Sequence, residues 1–228
     1  MGIVNFCENE WSIADSDKPG ANPMDVIDNI KQIQGVKSVH DKVIVIVHGG
    51  HEYYNLHQVA DYWEQVIIMN DHQKERFADK IIKTLYNTVN GKNIAFLGWA
   101  FKKDTNDTRE SAAIYVADHL LEEEAFITVY DPKVSAEQIY ADLDYLGTRS
   151  PEENRRLVKV VTDPYVACQE AHAVAVLTEW DEFKTYNWQK IYDSMYKPAF
   201  VFDGRNILNH QELRNKQFEV YMVGKGLN

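Results

Sequence analysis

The sequence predicts an α/β fold, a Rossmann-like doubly wound parallel sheet preceded by a long helix, with a small α/β fragment at the N-terminus. Short apolar runs alternate with helical segments in the second part of the chain, and this alternation is typical of a parallel sheet. Before them, apolar residues recur at helical spacing from His57 to Asn90. The 228 residues, of which 45% are hydrophobic and 12% aromatic, have globular proportions.

The first 55 residues predict only a few elements. A helix is expected from Asp25 to Gln34, with Gly35 ending it. The five consecutive β-branched residues Val43–Val47 predict a buried strand. Between them and the N-terminus, residues 12–23 are rich in Pro, Gly, Asp and Ser, which indicates a loop. We therefore treat 1–55 as a separate fragment, less stable than the rest, because so few elements close no core of their own.

The segment 56–90 predicts one long helix. Its apolar residues lie at spacings of three and four or their multiples: Val59, Trp63, Val66, Phe77, Ile81 and Leu85. The pair Asn90-Gly91 is predicted to end it. We interpret it as a connecting helix that packs in a core or in a dimer interface, and we expect a homo-oligomer formed through residues 57–90.

Residues 91–228 predict the main α/β domain. Its strands are expected at Asn93–Gly98, Ala125–Tyr130, Val158–Val161, Ala173–Leu177, Ala199–Gly204 and Phe218–Met222. Its helices are expected at Ser111–Glu123, in part of 133–157, from Asp163-Pro164 to Ala171, and in pieces over Glu179–Met195. Asp before Pro is a helix start, since Asp caps the helix and Pro suits its first position.

Charge and apolar runs exclude several functions. Lys and Arg number 24 and Asp and Glu 35, a net charge of −11, so the chain lacks the basic surface of a nucleic-acid binder. No apolar run approaches the roughly 20 residues that span a bilayer. The N-terminus lacks the features of a signal peptide. We expect no nucleic-acid or membrane partner and a cytoplasmic location.

The glycines do not form a standard dinucleotide site. The 11 glycines cannot be arranged as G-x-G-x-x-G or as a P-loop. Gly98 follows the first strand of the main domain, but Trp99 and Ala100 come next in place of further glycine. The domain is therefore Rossmann-like without the turn that lets a backbone approach a pyrophosphate.

The stretch that follows Gly98 is the strongest candidate site. It lies after a strand and before a helix, where open α/β sheets bind ligands. Lys102, Lys103 and Arg109 could neutralise phosphates there. On composition alone, a solvated charged loop whose Asp and Thr cap a helix explains the same residues.

Residues 98–111 resemble the signature of UDP-glucose 6-dehydrogenases, G-F-A-F-K-K-D-T-x-D-T-R-E-S. Other segments agree in order and spacing: His57–Val66, Tyr130–Lys133, Thr162–Tyr165, Leu177–Phe183 and Lys197–Arg205. The resemblance covers about residues 56–228, that is, the end of the family's central helical region and its UDP-binding domain. Trp99 replaces a Phe that is usual in the family, which we expect to be a mild change on the loop beside the ligand.

The resemblance implies a nucleotide-sugar site. The family oxidises UDP-glucose to UDP-glucuronate with two NAD, so UDP-glucose, UDP-glucuronate and NAD are the implied ligands. By position in the motifs, Phe101 and Lys102 would touch the UDP-sugar, Arg205 would reach the nucleotide sugar from a strand end, and Arg109 would approach NAD. We expect Arg205 to be partly solvated, so that its removal costs about 1 kcal/mol of stability or less.

No catalytic residue is assigned. The family's nucleophilic Cys lies in a G-x-C-F-x-K-D segment, and neither Cys7 nor Cys168 lies in such a segment. Without a thiolate and a bound nicotinamide the two-step oxidation has no nucleophile or oxidant. The leading hypothesis is a partial UDP-glucose 6-dehydrogenase, joined to an unrelated N-terminal segment by fusion, truncation or assembly error. The alternative is a non-catalytic UDP-binding or dimerisation module.

Residues 1–55 resemble instead a fragment of the metallophosphatases of capsule (poly-γ-glutamate) synthesis. The resemblance is carried by residues 4–12 and 43–52 and makes His48 a candidate metal ligand. A dinuclear site also needs Asp, Asn and further His residues from other strands, and these are not found. A metal-dependent phosphoesterase fragment is therefore the second alternative, and no metal site is expected.

Overall fold

The computed structural model describes residues 2–7, 26–39, 43–48 and 56–224. The chain divides into two compact units, Met1–Met69 and Asn70–Asn228. The predicted loop at 12–23 lies outside the described residues. The predicted domain limits at residues 55 and 90 rest on sequence resemblance and stay a prediction.

The first unit contains a two-stranded parallel sheet. β1 (Gly2–Cys7) pairs with β2 (Val43–His48), and α1 (Val26–Val39) connects them. The strand predicted at 43–47 is confirmed, whereas β1 was not predicted from the sequence. The prediction that Gly35 ends α1 is wrong. Gly35 lies inside the helix, at a cost of about 1 kcal/mol relative to Ala, and it has no positive φ that would stop the helix.

The long helix α2 (Leu56–Thr84) confirms the predicted element but ends earlier than expected. Tyr86 and Asn87 adopt left-handed φ values of 66° and 60°, so the chain leaves the helix before Asn90 is reached. Its apolar residues divide into two groups. Ile81 is buried, as is Leu85 directly after the helix, whereas a group in the N-terminal half is exposed: Tyr62, Trp63, Val66, Ile67, Ile68 and Met69.

The second unit contains a six-stranded, all-parallel sheet, as predicted. Its strands are β3 (Asn93–Leu97), β4 (Phe126–Tyr130), β5 (Val158–Val160), β6 (Ala173–Val176), β7 (Phe200–Asp203) and β8 (Glu219–Met222). Their spatial order is β5-β4-β3-β6-β7-β8. The chain runs outward from β3 to β5 and then returns to place β6 beside β3. This arrangement creates a topological switch point between β3 and β6, and the crevice outside the strand ends there is the usual ligand site.

Helices connect the strands of this sheet. They are α3 (Ala112–Glu122), α4 (Ala136–Leu146), α5 (Pro151–Leu157), α6 (Pro164–Cys168), the 3₁₀ helix Asp181–Thr185, α7 (Trp188–Ser194) and α8 (His210–Asn215). Asp163 caps α6 through the N–H of Tyr165, as its position before Pro164 predicts. α6 ends at Cys168, three residues earlier than predicted. Ser111 caps α3 in the same way, so the loop after β3 leads directly into a helix.

The core lies around the central strands. Every residue of β6 and β7 is buried, as is every residue of β3 except Asn93. Strands buried on both faces are expected of a parallel sheet covered by helices. The candidate site residues follow the carboxyl ends of these buried strands.

Candidate functional site

Three loops meet at the carboxyl ends of β3, β6 and β7. The first begins at Gly98, whose φ is +99°. A Cβ at this position would lie 2.5 Å from Cβ and Oγ1 of Thr178, the second residue after β6. Thr178 is itself buried and donates a hydrogen bond to the carbonyl of Ala100 at 2.6 Å. Only glycine therefore allows the first two loops to approach this closely.

Asp131, which follows β4, accepts hydrogen bonds from the loops at the same edge of the sheet. Its side chain is 9% exposed. Its two oxygens accept hydrogen bonds from five donors: the backbone N–H groups of Trp99 (2.7 Å), Ala100 (3.0 Å), Lys133 (2.8 Å) and Val134 (3.0 Å) and the indole N–H of Trp180 (3.1 Å). One buried carboxylate thus fixes the backbone that leads to Phe101 and orients the side chain of Trp180.

Trp99 does not face solvent on this loop, and the expectation that replacing Phe by Trp here is a mild change stays a prediction. The side chain is fully buried, and its indole N–H donates to Asp142 at 2.9 Å. Thr108, at the far end of the same loop, donates to the other oxygen of Asp142 at 3.1 Å. The aromatic residue at 99 therefore closes the loop onto α4.

Phe101 and Lys102 form the exposed face of this loop. Phe101 is 49% exposed, and Lys102 is also exposed. Within the described part of the chain, Lys102 forms no hydrogen bond or ion pair through its ammonium group. Lys103 is different because its ammonium lies 2.5 Å from Asp181, and this contact raises the pKa of Lys103. Of the two lysines, Lys102 is the one available to an anion.

Arg205 connects all three loops. Its Nε donates to the carbonyl of Leu177 at 2.7 Å, and its Nη2 donates to the carbonyl of Phe101 at 3.1 Å. Glu179 lies 3.5 Å from its Nε, and the Arg205 side chain is 30% exposed. The arginine is therefore partly solvated, as expected from the sequence, and two backbone carbonyls also anchor it. The structure brings Arg205 and Phe101, 104 positions apart, into direct contact.

The turn that carries Arg205 is fixed by Asp203, a fully buried carboxylate at the end of β7. Asp203 accepts hydrogen bonds from the backbone N–H groups of Arg205 (3.1 Å) and Leu208 (2.9 Å), and it lies 2.8 Å from Nε2 of His210. A Cβ on Gly204 would lie 2.9 Å from the carbonyl of Val176. Backbone position at 205 is thus determined by buried groups.

Arg109 is placed apart from these residues. Its side chain is 87% exposed. Its guanidinium forms a forked contact with Asp107, with Nε to Oδ1 at 2.9 Å and Nη2 to Oδ2 at 2.6 Å. This contact lowers the pKa of Asp107 to about 2. Within the described residues, no hydrogen bond connects Arg109 to Phe101, Lys102 or Arg205.

The described residues contain neither a reactive thiol nor a cluster of metal ligands. Cys168 is fully buried, and desolvation raises the pKa of its thiol to about 12, so it is a structural residue as predicted. The side chains of Cys7 and His48 lie outside the described residues. The described part holds no group of three His, Cys, Asp or Glu side chains suited to a metal ion. It also holds no helix apolar and long enough for a bilayer.

A groove of about 950 Å³ lies beside the anchored arginine in the second unit. Its walls include Phe77 and Lys80 of α2, Tyr221 of β8, and Leu177 and Arg205. The Lys80 ammonium lies 4.8 Å from the centre of the Tyr221 ring. Arg205 therefore borders this groove in addition to contacting the loops.

The strand order and the three loops define a doubly wound α/β domain of the class that binds nucleotides at a topological switch point. Comparison with known proteins makes this class specific. The family model for the UDP-binding domain of the UDP-glucose/GDP-mannose dehydrogenase family matches residues 95–210. The chain belongs to this family.

Curated relatives agree with the family model. UDP-glucose 6-dehydrogenase of Bos taurus is 51% identical over 173 residues, which cover 75% of this chain and 35% of that protein. The Drosophila melanogaster enzyme of the same name is 53% identical over 172 residues, or 75% of this chain and 36% of that protein. The chain thus spans about a third of the length of these relatives.

A solved structure supports the fold. NDP-N-acetyl-D-galactosaminuronic acid dehydrogenase from Methanosarcina mazei Go1 aligns with a TM-score of 0.55 at 19% identity, over 87% of this chain and 36% of that one. The comparisons lend no support to the resemblance of residues 1–55 to metallophosphatases.

Proposed function

We propose that this chain binds a UDP-sugar at the carboxyl edge of its six-stranded sheet and supplies that site to an NAD-dependent UDP-glucose 6-dehydrogenase. The observation that carries the proposal is the contact between Arg205 and the carbonyl of Phe101. Two residues that the resemblance assigns independently to the UDP-sugar lie together, next to the unpaired Lys102. Family membership supports the chemical class of the ligand, and the proximity of these three residues supports the proposed place.

Each residue offers a different chemistry to such a ligand. The half-exposed ring of Phe101 gives an apolar surface. The ammonium of Lys102 is a point charge suited to a diphosphate. The guanidinium of Arg205 is held by two carbonyls, and its Nη1 has no hydrogen-bond partner among the described residues. An arginine fixed in this way loses little conformational entropy when it binds.

For NAD, the proposal assigns one residue and no complete binding site. Arg109 is the one group that we assign toward NAD, and the sequence contains no G-x-G-x-x-G turn to hold a pyrophosphate. The residues present therefore do not form a complete dinucleotide site, and we derive no hydride-transfer step for this chain. NAD would supply the oxidant for the two oxidations in the whole enzyme.

We also propose that the chain associates with a second copy through α2, in the cytoplasm. The apolar side chains in the N-terminal half of α2 support this proposal, since Trp63 is 61% exposed and Ile67 is 63% exposed. A cluster of exposed apolar residues on a helix is typical of an interface. Sedimentation would detect the dimer, and Ile67→Glu should shift it to monomer.

Calorimetry with UDP tests the binding proposal. Lys102→Ala should weaken UDP binding about tenfold and leave the melting temperature nearly unchanged, because the side chain is exposed and unpaired. Lys133→Ala, another lysine that follows a strand of the sheet, is the matched control and should bind as the wild type does. Absence of any heat at millimolar UDP would reject the site.

The alternative, a non-catalytic UDP-binding or dimerisation module, uses the same site and predicts no turnover. For the 228-residue chain we expect no NADH from UDP-glucose and NAD, because neither cysteine lies in the family's catalytic segment. Production of NADH at a rate proportional to protein concentration would contradict this expectation. It would also favour a complete catalytic site in this chain.

A further inference from the structure

Glu179 is an acidic residue beside the Arg205 guanidinium, and the resemblance assigns it no role. It follows β6 between two anchored neighbours. Thr178 is fully buried and bonded to the carbonyl of Ala100, and Trp180 is 5% exposed and bonded to Asp131. The backbone at 179 is therefore fixed, and the carboxylate has a defined position.

The carboxylate reaches both other loops of the edge. Its Oε2 lies 3.5 Å from Nε of Arg205, and its Oε1 accepts a hydrogen bond from the backbone N–H of Lys103 at 3.3 Å. Its side chain is 31% exposed, about as much as the 30% of Arg205. Because the pair is partly shielded from water, the charge of the guanidinium is compensated more than it would be for a fully exposed pair.

The neighbouring carboxylate gives Arg205 a different charge environment from that of Lys102. Lys102 has a positive charge with no ion-pair partner in the described residues, whereas Arg205 has a carboxylate beside it. A phosphate brought to Arg205 would meet the negative charge of Glu179 as well. An uncharged hydroxyl or carbonyl oxygen would not be repelled, and it would accept a hydrogen bond from the remaining N–H groups of the fork.

We propose that Glu179 is a positioning residue that holds the Arg205 guanidinium against the Phe101 loop with its charge balanced, so that Arg205 recognises an uncharged oxygen of the nucleotide sugar. This inference rests on the proposed function, since it assumes the same UDP-sugar site. The diphosphate then belongs to Lys102.

A double-mutant cycle on UDP-glucose affinity tests the positioning role. Glu179→Ala and Arg205→Ala should each weaken binding about five- to tenfold. The double variant should be no weaker than Arg205→Ala within about twofold, because Glu179 acts through Arg205. Additive losses would overturn the proposal. Melting temperatures of all variants identify any loss that comes from unfolding.

The variant Glu179→Gln separates charge pairing from loop anchoring. Glutamine retains an acceptor for the N–H of Lys103 but has no charge for Arg205. Binding as weak as in Glu179→Ala supports the pairing. Wild-type affinity would show that the hydrogen bond alone matters, and tighter binding would place a phosphate against the carboxylate; either result would overturn the proposal.

Salt dependence tests the kind of oxygen that Arg205 meets. The loss caused by Arg205→Ala should be nearly the same at about 50 and 300 mM NaCl, whereas the loss caused by Lys102→Ala should shrink. Equal salt dependence of the two losses would assign Arg205 to a phosphate and contradict the inference.

The signal of the Arg205 Nε–H group in nitrogen–proton spectra tests positioning without ligand. It should be sharp in the wild type and broadened by exchange with water in Glu179→Gln. An unchanged signal would overturn the positioning role even if UDP-glucose binds. A wild-type chain that binds no UDP-glucose would instead reject the proposed function, and this signal then decides the positioning role separately.

Discussion

The loop that follows β3 has two sides with different tasks. On the inner side, Gly98, Trp99 and Ala100 pack against Thr178, Asp131 and Asp142, and the last two of the three loop residues are fully buried. On the outer side, Phe101 is 49% exposed and Arg109 is 87% exposed. One continuous motif therefore contains closely packed residues and exposed residues. Substitutions on the two sides should separate stability from binding.

The largest effect is expected on the inner side at Gly98→Ala. The new Cβ would lie 2.5 Å from Thr178 and 2.7 Å from its backbone nitrogen, at a φ of +99°. Strained backbone and overpacking each cost about 1–3 kcal/mol, so the free energy of unfolding should fall by about 3–5 kcal/mol. Urea titration measures this change.

Gly91→Ala is the matched control for this substitution. Gly91 also has a positive φ, +69°, but a Cβ there meets nothing within 4 Å. Its cost should stay near 1 kcal/mol, the penalty for a left-handed non-glycine residue. Equal losses at the two glycines would mean that the contact with Thr178 does not determine the approach of the loops.

The second effect is expected at Asp131→Asn. The amide offers one acceptor oxygen in place of two, and its NH₂ group faces donors that it cannot bond. Leaving buried N–H groups without acceptors costs about 1–3 kcal/mol each, so we expect a loss of about 2–4 kcal/mol in thermal or urea unfolding. Glu75→Gln, an exposed carboxylate on α2, should change stability by less than about 0.5 kcal/mol. A neutral Asp131→Asn would show that water replaces the lost acceptor.

Much of the fold could be predicted from the sequence, whereas the buried polar contacts could not. The strands of the second unit were predicted because apolar runs such as Ala173–Val176 are long enough to be recognised. β1 was missed because its six residues, Gly2–Cys7, include a polar Asn and a terminal Gly. The end of α2 was misplaced because Tyr86 and Asn87 adopt left-handed conformations, and a tyrosine gives no indication of one in the sequence.

The candidate site shows the same division. Phe101, Lys102, Arg109 and Arg205 were named from motif position alone. Asp131 and Asp203, which fix the backbone before Phe101 and at Arg205, and Glu179, which lies beside Arg205, were inside recognised segments. Spacing along the sequence does not reveal which carboxylate is buried against which N–H group. The burial of the Trp99 ring could not be predicted for the same reason. An aromatic residue in a polar loop gives no sign of whether its ring faces the ligand or the core.

A third effect separates the two arginines. Arg205→Ala removes hydrogen bonds to Leu177 and Phe101 and should cost about 1–2 kcal/mol, more than the sequence suggested. Arg109→Ala breaks a contact only with Asp107, two residues away, and should stay within about 0.5 kcal/mol. Differential scanning calorimetry of the two variants measures the contrast. Equal melting temperatures would mean that the anchors of Arg205 form only when a ligand is present.

The smallest effect concerns Asp181, which connects the outer side of the loop to the 3₁₀ helix. Lys103 and Lys184 each lie 2.5 Å from its carboxylate, and they lower its pKa to about 2 from an ordinary 3.8. Because the pKa is lower in the folded state, the stabilisation is present above about pH 4 and is lost as the pH falls toward 2. Asp181→Asn should therefore be slightly less stable than the wild type at pH 7.

The difference between Asp181→Asn and the wild type should narrow in unfolding titrations between pH 4 and pH 2, and it should narrow in the same way at pH 7 when about 1 M salt screens the pair. Glu75→Gln should show neither change, since Glu75 has no ion-pair partner among the described residues. A difference that persists at pH 2 would assign the effect of Asp181 to its hydrogen-bonding shape rather than to its charge. The outer side of the loop would then be held by packing as the inner side is, and the distinction between the two sides would be lost.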